Sequence, residues 1–577
     1  MSNALGRYVQ YKVSETLKDS FPKHHGMQAY LPIMETIWKL HSDQPGQWFG
    51  SKYRINEYRD FDIPSADDDS NSESEPNATI ELNTTEGNKD TQDVFCHCKI
   101  AHLLNPIHFL EGRYSFPTLN KLPWHDKPYK SAIQKLQSPF NQAYVDALGM
   151  FLTSRLVEDN ISPHFLPYYG SVTAIAEEYI YNITDDYPSY RNESWFWQAL
   201  KKKKIPFRIT NQYEPEVAVP EEVVAAITTP PPDCDLFGDG DGDDISIRSD
   251  EDKLPVVRTS AEVVETPDDI GQAEEAESIK TASEDDIESV GEDDDCSDNE
   301  STSSEVQIGL EFKEMPVLLS FQKEADGVMD DLFFDEEEVG AKAGTAAWEA
   351  RWTAWIFQVT AALAQMQSAY NMTHNDLHTN NVVYTETKDE YLFYKKASGD
   401  IFKVPTYGKI FHIIDFGRAI FRVGHRQWIS DDYIGDNDAA GQYNFGPIYN
   451  PRKPKVAPNM SFDLARFAVS CLEEIFPDQP PKKKRSPVKL SEEPGRTMWE
   501  TTSPLFNMLW NWLLTDKGEN VLWDADDEDR YPDFRLYEVI ARSCFNAVPS
   551  EQFTKAPFAA FKCAPAAVPE GHKVYDI

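Results

Sequence analysis

The sequence predicts an α+β fold carrying a long acidic insertion, and three observations lead there. Short apolar runs rich in β-branched and aromatic residues, at 94–100, 315–321 and 411–415, have the length and composition of buried strands. Apolar residues at helical spacing over 141–156 and 348–370 mark two long helices, each packing through one face. Between 231 and 310 the chain carries 27 acidic and 4 basic residues, which is −23 of the net −42 for all 577. With few aromatics, that stretch cannot bury enough apolar surface to fold. The whole chain is 40% apolar and 12% aromatic, enough for a core elsewhere.

Residues 1–63 begin with mixed helical patterning around Leu17, Phe21 and Ile37 and pass into an aromatic, basic stretch at 48–61. Residues 64–93 are polar and acidic, a linker with a strand expected at 78–82 and a turn at Gly87. The run 94–100 places one lysine, Lys99, on a buried strand. Burying an ammonium is costly unless anions meet it, although a lysine can also extend its amine to water. Cys96-His97-Cys98 on this strand has no second Cys/His pair at ligand spacing, so a reduced strand is expected rather than a zinc site. The helix over 141–156 is the natural element to pack on the strand. Its Asp146 either meets Lys99 or is a solvated acid on the exposed face.

A further strand is expected at 167–174. The acidic insertion is drawn at 221–306. Asp239-Gly-Asp241-Gly-Asp243-Asp244 within it lacks the Gly and the closing Glu of a calcium loop. Ser249, Ser283 and Ser297 are each followed by acidic residues, a context acidophilic kinases accept and a solubilising segment also produces. Order returns with the strand at 315–321, which ends in a linker whose backbone groups at 323–325, Glu324 and Ala325 among them, are placed to bond an adenine ring. In the helix that follows, the stripe Trp348, Trp352, Trp355 is core. A hairpin is expected over 391–404, a Gly-, Asn- and Pro-rich loop over 430–458, and a helix over 461–476 whose Asp463 caps it or braces a neighbouring loop, capping being the simpler role.

Two motifs carry chemistry. Thr373-His374-Asn375-Asp376-Leu377-His378-Thr379-Asn380-Asn381 sets a His, an Asp and an Asn at the spacing H-x-D-x-x-x-x-N. Ile414-Asp415-Phe416-Gly417 follows an apolar strand, with Asp415 34 residues beyond Asn381. Each alone is ordinary turn punctuation. In this order and between strands, they offer one carboxylate to orient a hydroxyl, and an amide with a second carboxylate to hold Mg²⁺ on nucleotide phosphates.

The chain thereby resembles the protein-kinase superfamily, and more narrowly the serine/threonine kinases of large DNA viruses, over 94–174 and 311–560. The narrower likeness rests on Cys98-Lys99-Ile-Ala-His-Leu-Leu-Asn-Pro106, Ala143-Tyr-Val-Asp146, the two motifs, Val404-Pro-Thr-Tyr-Gly-Lys409 and Ser461-Phe-Asp463-Leu464. It implies a bilobal fold. The small lobe, an antiparallel sheet with one main helix, would take 94–220 and end with a hinge at 307–324; the mostly helical large lobe would take 325–563. Residues 1–63 would be an extension packed on it and 564–577 a tail. The resemblance further implies transfer of the γ-phosphoryl group of ATP, with Mg²⁺, to a Ser or Thr hydroxyl. By that likeness Lys99 holds the α/β-phosphates and pairs with Asp146, and Glu324 and Ala325 meet the adenine. Asp376 is the catalytic base, His378 hydrogen-bonds a γ-phosphate oxygen, Asn381 and Asp415 bind Mg²⁺, and His374 and Asp463 brace the loop.

Three positions depart from the family pattern. No G-x-G-x-x-G precedes Lys99, Gly87 being the nearby glycine. Asn375 stands where an Arg often precedes the catalytic Asp, which removes the usual partner of a phosphorylated activation loop. His378 replaces a loop lysine and is neutral or weakly charged near neutral pH. Two other functions therefore stay open: a pseudokinase scaffold recruiting partners through the acidic insertion, and a choline- or aminoglycoside-type phosphotransferase, since H-N-D-L-H occurs there too.

The expected partner is a protein substrate, basic in view of the net charge, with no direct nucleic-acid binding. Lys482-Lys483-Lys484-Arg485 in a Pro-bounded loop has the composition nuclear import receptors bind, and is equally a solvated charge run, like Lys201 to Lys204. No apolar run reaches the roughly 18 residues of a membrane span, and seven scattered cysteines suit a reduced compartment. An intracellular protein without a membrane partner is expected, in host cytoplasm, nucleus or virion by the viral likeness.

Overall fold

In the computed structural model the chain is α+β, with several antiparallel sheets and helices of up to 25 residues. The structure describes residues 89–114, 130–212, 217–231, 256–257 and 306–577 except 436, 447, 477–479, 525–528 and 533, together with 9–10, 13, 15–21, 23–29, 31–38, 47–48, 52–59 and 76–83. Gly87, Cys234, the Asp239 to Asp244 segment, Ser249, Ser283, Cys296 and Ser297 lie outside the described residues, as does most of the acidic insertion. Among the described residues no helix is long and apolar enough to cross a membrane.

The chain divides into two compact units: Met1–Asn105, Tyr114–Glu177 and Glu314–Ile577 form one, Pro106–Arg113 and Glu178–Lys313 the other. The division does not fall at residue 324, where two lobes are expected to meet. Backbone bonds cross that point within the first unit, Glu324 N to Phe95 O at 3.1 Å and Asp326 N to Tyr384 O at 2.9 Å.

In the first unit the strand Cys96–His102 pairs antiparallel with residues 317–323 of the long strand Val306–Lys323, which sets Lys99 opposite Ser320. Residues 317–322 are all buried, as the continuous apolar run requires for a strand covered on both faces. The N-terminal region joins this sheet. His24–Gln28 pairs with the strand Tyr168–Asn182, and Phe21 lies 5.3 Å from Tyr58 and 6.0 Å from Phe321, ring to ring. A second antiparallel sheet comprises Tyr53–Tyr58, Ala78–Asn83 and Lys89–Val94, so the region expected as a linker supplies two strands where one was foreseen.

The helix Ala346–Tyr370 begins at Thr345, whose hydroxyl accepts from Trp348 N, and buries Trp348, Trp352 and Trp355 as its period requires. The expected hairpin is Tyr391–Lys395 with Ile401–Pro405. The last residues are not a free tail: Val574–Asp576 adds a parallel strand to Tyr391–Lys395. The basic run at 482–485 is also part of the fold, with Lys484 bonded to Glu500 at 3.1 Å and Lys483 4.0 Å over the Trp499 ring.

In the second unit Phe207–Asn211 pairs antiparallel with residues 306–310 and parallel with Val256–Val257. Tyr187, Phe196, Trp197 and Phe207 make its aromatic core. Lys201, Lys202 and Lys203 form the last turn of Ser194–Lys203, where the helix dipole favours cations, which gives that basic run a local structural reason. The helix Glu221–Thr228 lies inside the stretch drawn as insertion from residue 221, so folded structure extends beyond the expected boundary.

Three histidines in the first unit, His164 and His412 among its buried residues, are held neutral. Burial lowers His102 and His164 to about 4 and His412 to about 3. His164 bridges Phe411 O at 2.9 Å and the Tyr394 hydroxyl at 2.7 Å. A depressed imidazole contributes stability that is complete above the unfolded value of about 6.5 and lost as pH falls toward the folded one. The stability advantage of the wild type over His164→Gln should therefore shrink by roughly 3 kcal/mol between about pH 6.5 and about pH 4 in denaturant unfolding. A constant difference over that interval would contradict a neutral buried imidazole.

Candidate active site

Lys99 leaves its strand between two carboxylates, with Nζ 2.8 Å from Asp146 Oδ2 and 2.9 Å from Asp415 Oδ1. Asp146 is brought there by the helix Gln142–Glu158. Its cap, Asn141, accepts from Ala143 N and donates to Leu103 O just beyond the lysine strand, at 2.9 Å. The other Asp146 oxygen accepts from Phe416 N at 2.7 Å, so one buried side chain joins strand, helix and the Asp-Phe-Gly segment. One turn on, Gly149 lets Phe416 come close: a Cβ there would lie 2.3 Å from the Phe416 Cβ. Phe416 fills the gap between this helix and the loop, 5.6 Å from the His374 ring.

Burial opposes the Lys99 charge, but Asp146 and Asp415 outweigh it and hold the ammonium above the ordinary lysine range. Burial raises Asp146, with Lys99 acting against it and Asp415 adding to it. At Asp415 burial is outweighed by Lys99, and the carboxyl is drawn down to about 2. One cation between two acids thus holds Asp415 down and works against the burial that raises Asp146.

The helix Ala346–Tyr370 ends at Asn371 in the left-handed conformation, φ 49°, and Thr373 then exchanges two 2.9 Å backbone bonds with Ile420. Asp463, fully buried, accepts His374 N at 2.9 Å and Asn375 N at 2.8 Å. The side chain of His374 accepts Asp376 N on Nδ1 at 3.2 Å and so donates from Nε2 to Ile414 O at 2.8 Å, tying the loop to the strand that delivers Asp415. Asn381 spends both amide hydrogens, on Asp376 O at 2.9 Å and His378 Nε2 at 3.1 Å. That fixes its Oδ1 as the outward oxygen and makes the His378 tautomer Nδ1–H; burial lowers the His378 pKa, so the ring is uncharged near pH 7.

The residues after Asp415 pack against this loop without charge on the Asn375 side. Asn375, at φ 66°, is buried; it donates to Thr373 O, Thr373 Oγ1 and Arg418 O, and accepts from the Tyr443 hydroxyl at 2.8 Å. Arg418 bonds Asp432 Oδ2 at 2.8 Å and reaches Asp376 Oδ1 at 3.3 Å. The same Asp376 oxygen accepts the Tyr537 hydroxyl at 2.9 Å. Farther on, Asp431 takes Lys135 Nζ at 2.6 Å and Gln142 N at 3.1 Å.

Lys99, Asp146 and Asp415 are thus in direct contact, and Asp376, His378 and Asn381 share one hydrogen-bonded loop tied to the Asp415 strand. Two expectations change. Asp463 does not cap its helix, since Ser461 occupies the cap position; its oxygens go to the loop amides instead. Glu324 does not offer its amide to a ligand because Phe95 O takes it, which leaves Ala325 as the donor of the pair among the described residues. Gly149, Arg418, Tyr443 and Tyr537 were not foreseen. A glycine inside a helix is a signal that could have pointed to Gly149, because its cost asks for a packing reason; the other three meet the loop only through the tertiary fold.

Among the described residues no cluster of three or more His, Cys, Asp or Glu is placed to hold a metal ion unaided. The outward Oδ1 of Asn381 and the half-exposed Asp415 carboxylate are hard oxygen donors that suit Mg²⁺ only when further oxygens come from a ligand. No protein-family model matches the chain, and no curated protein matches it.

Asp463→Ala would leave two buried backbone N–H groups without an acceptor. It should cost about 2–4 kcal/mol in denaturant unfolding and speed hydrogen exchange of the His374 and Asn375 amides. Unaltered exchange at those two amides would show that Asp463 does not hold the loop.

Proposed function

We propose that the chain is an ATP- and Mg²⁺-dependent protein kinase acting on Ser or Thr hydroxyls, on a kinase-like fold of two lobes. The observation that carries this reading is the meeting of Lys99, Asp146 and Asp415, joined by the His374–Ile414 bond to a loop bearing Asp376 and Asn381. Bound Mg²⁺ would neutralise and orient the nucleotide phosphates, held by Asn381 Oδ1 and Asp415. Lys99 supplies a permanent positive charge to the α/β-phosphates, and Asp146 keeps it aimed. Asp376 accepts the proton of the acceptor hydroxyl, on a loop whose backbone Asp463 has already fixed. Catalysis is mainly positioning and charge neutralisation. The neutral His378 contributes a hydrogen bond rather than charge, and the net charge of −42 favours encounter with a basic substrate.

A pseudokinase scaffold is the second reading, favoured by the engagement of the Glu324 amide and of Asp376 Oδ1 with the protein itself. Radiolabel transfer from ATP separates the two, and peptide against choline or aminoglycoside acceptors separates a protein kinase from a metabolite kinase. Asp376→Ala should lower the transfer rate on the order of 10²–10⁴-fold while ATP binding persists; undiminished transfer would remove the assignment. Because Asn375, Tyr443 and the Arg418–Asp432 pair hold the downstream segment without a phosphate, phosphatase treatment should leave kcat unchanged. A collapse of activity after dephosphorylation would show that control by loop phosphorylation persists.

A further inference from the structure

Asp376 has two oxygens, and the fold treats them differently. Oδ1 takes the Tyr537 hydroxyl at 2.9 Å and the Arg418 guanidinium at 3.3 Å. Tyr537 comes from the helix Arg535–Ser543, 161 residues away in sequence. Its ring is fixed independently of Asp376: Phe534 stacks on it at 5.2 Å, Phe462 lies at 5.9 Å and the Arg466 guanidinium sits 5.1 Å over its face. The far end of the helix is tied down by Asn459, buried, whose amide reaches Ile540 O, Ala541 O and Cys544 O at 3.3, 3.4 and 2.7 Å. Arg418 is equally fixed through Asp432. Burial raises the Tyr537 phenol, so it remains a donor at neutral pH.

We propose that Tyr537 is a positioning residue for the catalytic base: together with Arg418 it fixes Asp376 through Oδ1, so that Oδ2 is the oxygen presented to the acceptor hydroxyl. This rests on the phosphotransfer reading above. A carboxylate on a loop otherwise rotates about its own bond between two equivalent oxygens. Two donors on one oxygen remove that freedom before the acceptor arrives, which lowers the entropic part of the barrier. A removable cover over the base would need a helix free to leave. Here the helix is anchored at Asn459 and the ring is packed on three sides.

The test uses the full-length chain and Tyr537→Phe, which keeps the ring packing and removes only the hydroxyl. kcat should fall roughly 10- to 100-fold, the loss of one hydrogen bond to a charged group, with KM for ATP unchanged because Lys99, Asn381 and Asp415 are untouched. A Tm cycle with Asp376→Ala reads the contact without turnover: the double variant should lose less than the two single losses added. Additive Tm losses overturn the proposal, as does an unchanged kcat. A raised kcat overturns it in favour of a cover over the base. If the wild type transfers no phosphate at all, the reading beneath the proposal fails and takes it down; a transferring wild type with an indifferent Tyr537→Phe removes the proposal alone.

Discussion

The ammonium of Lys99 between Asp146 and Asp415 is the interaction on which the rest of the site depends. Three charges share one half-buried place, and a buried ion pair is tolerated only when its remaining hydrogen-bonding capacity is filled. The fold fills it from the backbone: Phe416 N serves Asp146, and Gly417 N serves Asp415 at 3.3 Å. Because each carboxylate also accepts from the Asp-Phe-Gly backbone, the lysine strand, the Asp146 helix and that segment cannot shift separately without stranding a charge. Gly149 is part of the same constraint, since a side chain there would push Phe416, and with it Phe416 N, away from Asp146.

The loop beneath is held by a different means. Asp463 is buried beneath two backbone amides, and Asn375 and Tyr443 meet by neutral hydrogen bonds in a place where charge would need a counter-ion. The Asn375–Tyr443 bond carries no charge whose gain or loss would release it, and the charge under the loop is that of Asp463. Arg418 is held beside this network by Asp432. In the proposed enzyme, control would then act through substrate access or through the acidic insertion rather than through the loop.

How much was legible follows from which contacts are local. The Lys99 strand, the Asp146 helix, the Trp-lined helix and the 391–404 hairpin were readable because periodicity of two or near 3.6 reports burial within one element. Asp146 was half readable, because helical spacing gives the helix but leaves open whether its acid meets Lys99 or faces solvent. The role of Asp463 was half readable: an acid at a helix start has two uses, and only the position of the loop decides between them. Tyr537 was unreadable because nothing near it differs from ordinary helix sequence, and Arg418, although next to the Asp-Phe-Gly motif, meets Asp376 and Asp432 only through the tertiary fold. The strand Val574–Asp576 was missed for a similar reason, since its pairing depends on the open edge of Tyr391–Lys395 and not on its own Ala/Pro-rich surroundings.

Two cations at the site, Lys99 and Arg418, share one pattern that neither motif discloses. Lys99 lies between Asp146 and Asp415, and Arg418 between Asp376 and Asp432, so each is outnumbered by acids. His378, at the place of a loop lysine, adds no charge. Where these acids are ionised, two like charges at about 4 Å repel by several kcal/mol at the effective dielectric of a protein surface. Nucleotide phosphates would be repelled by them unless their charge is already compensated. In the proposed reading the divalent cation is then a condition of binding as well as of chemistry. That follows from how the acids are paired and does not need the phosphate-covering loop, whose nearest glycine lies outside the described residues.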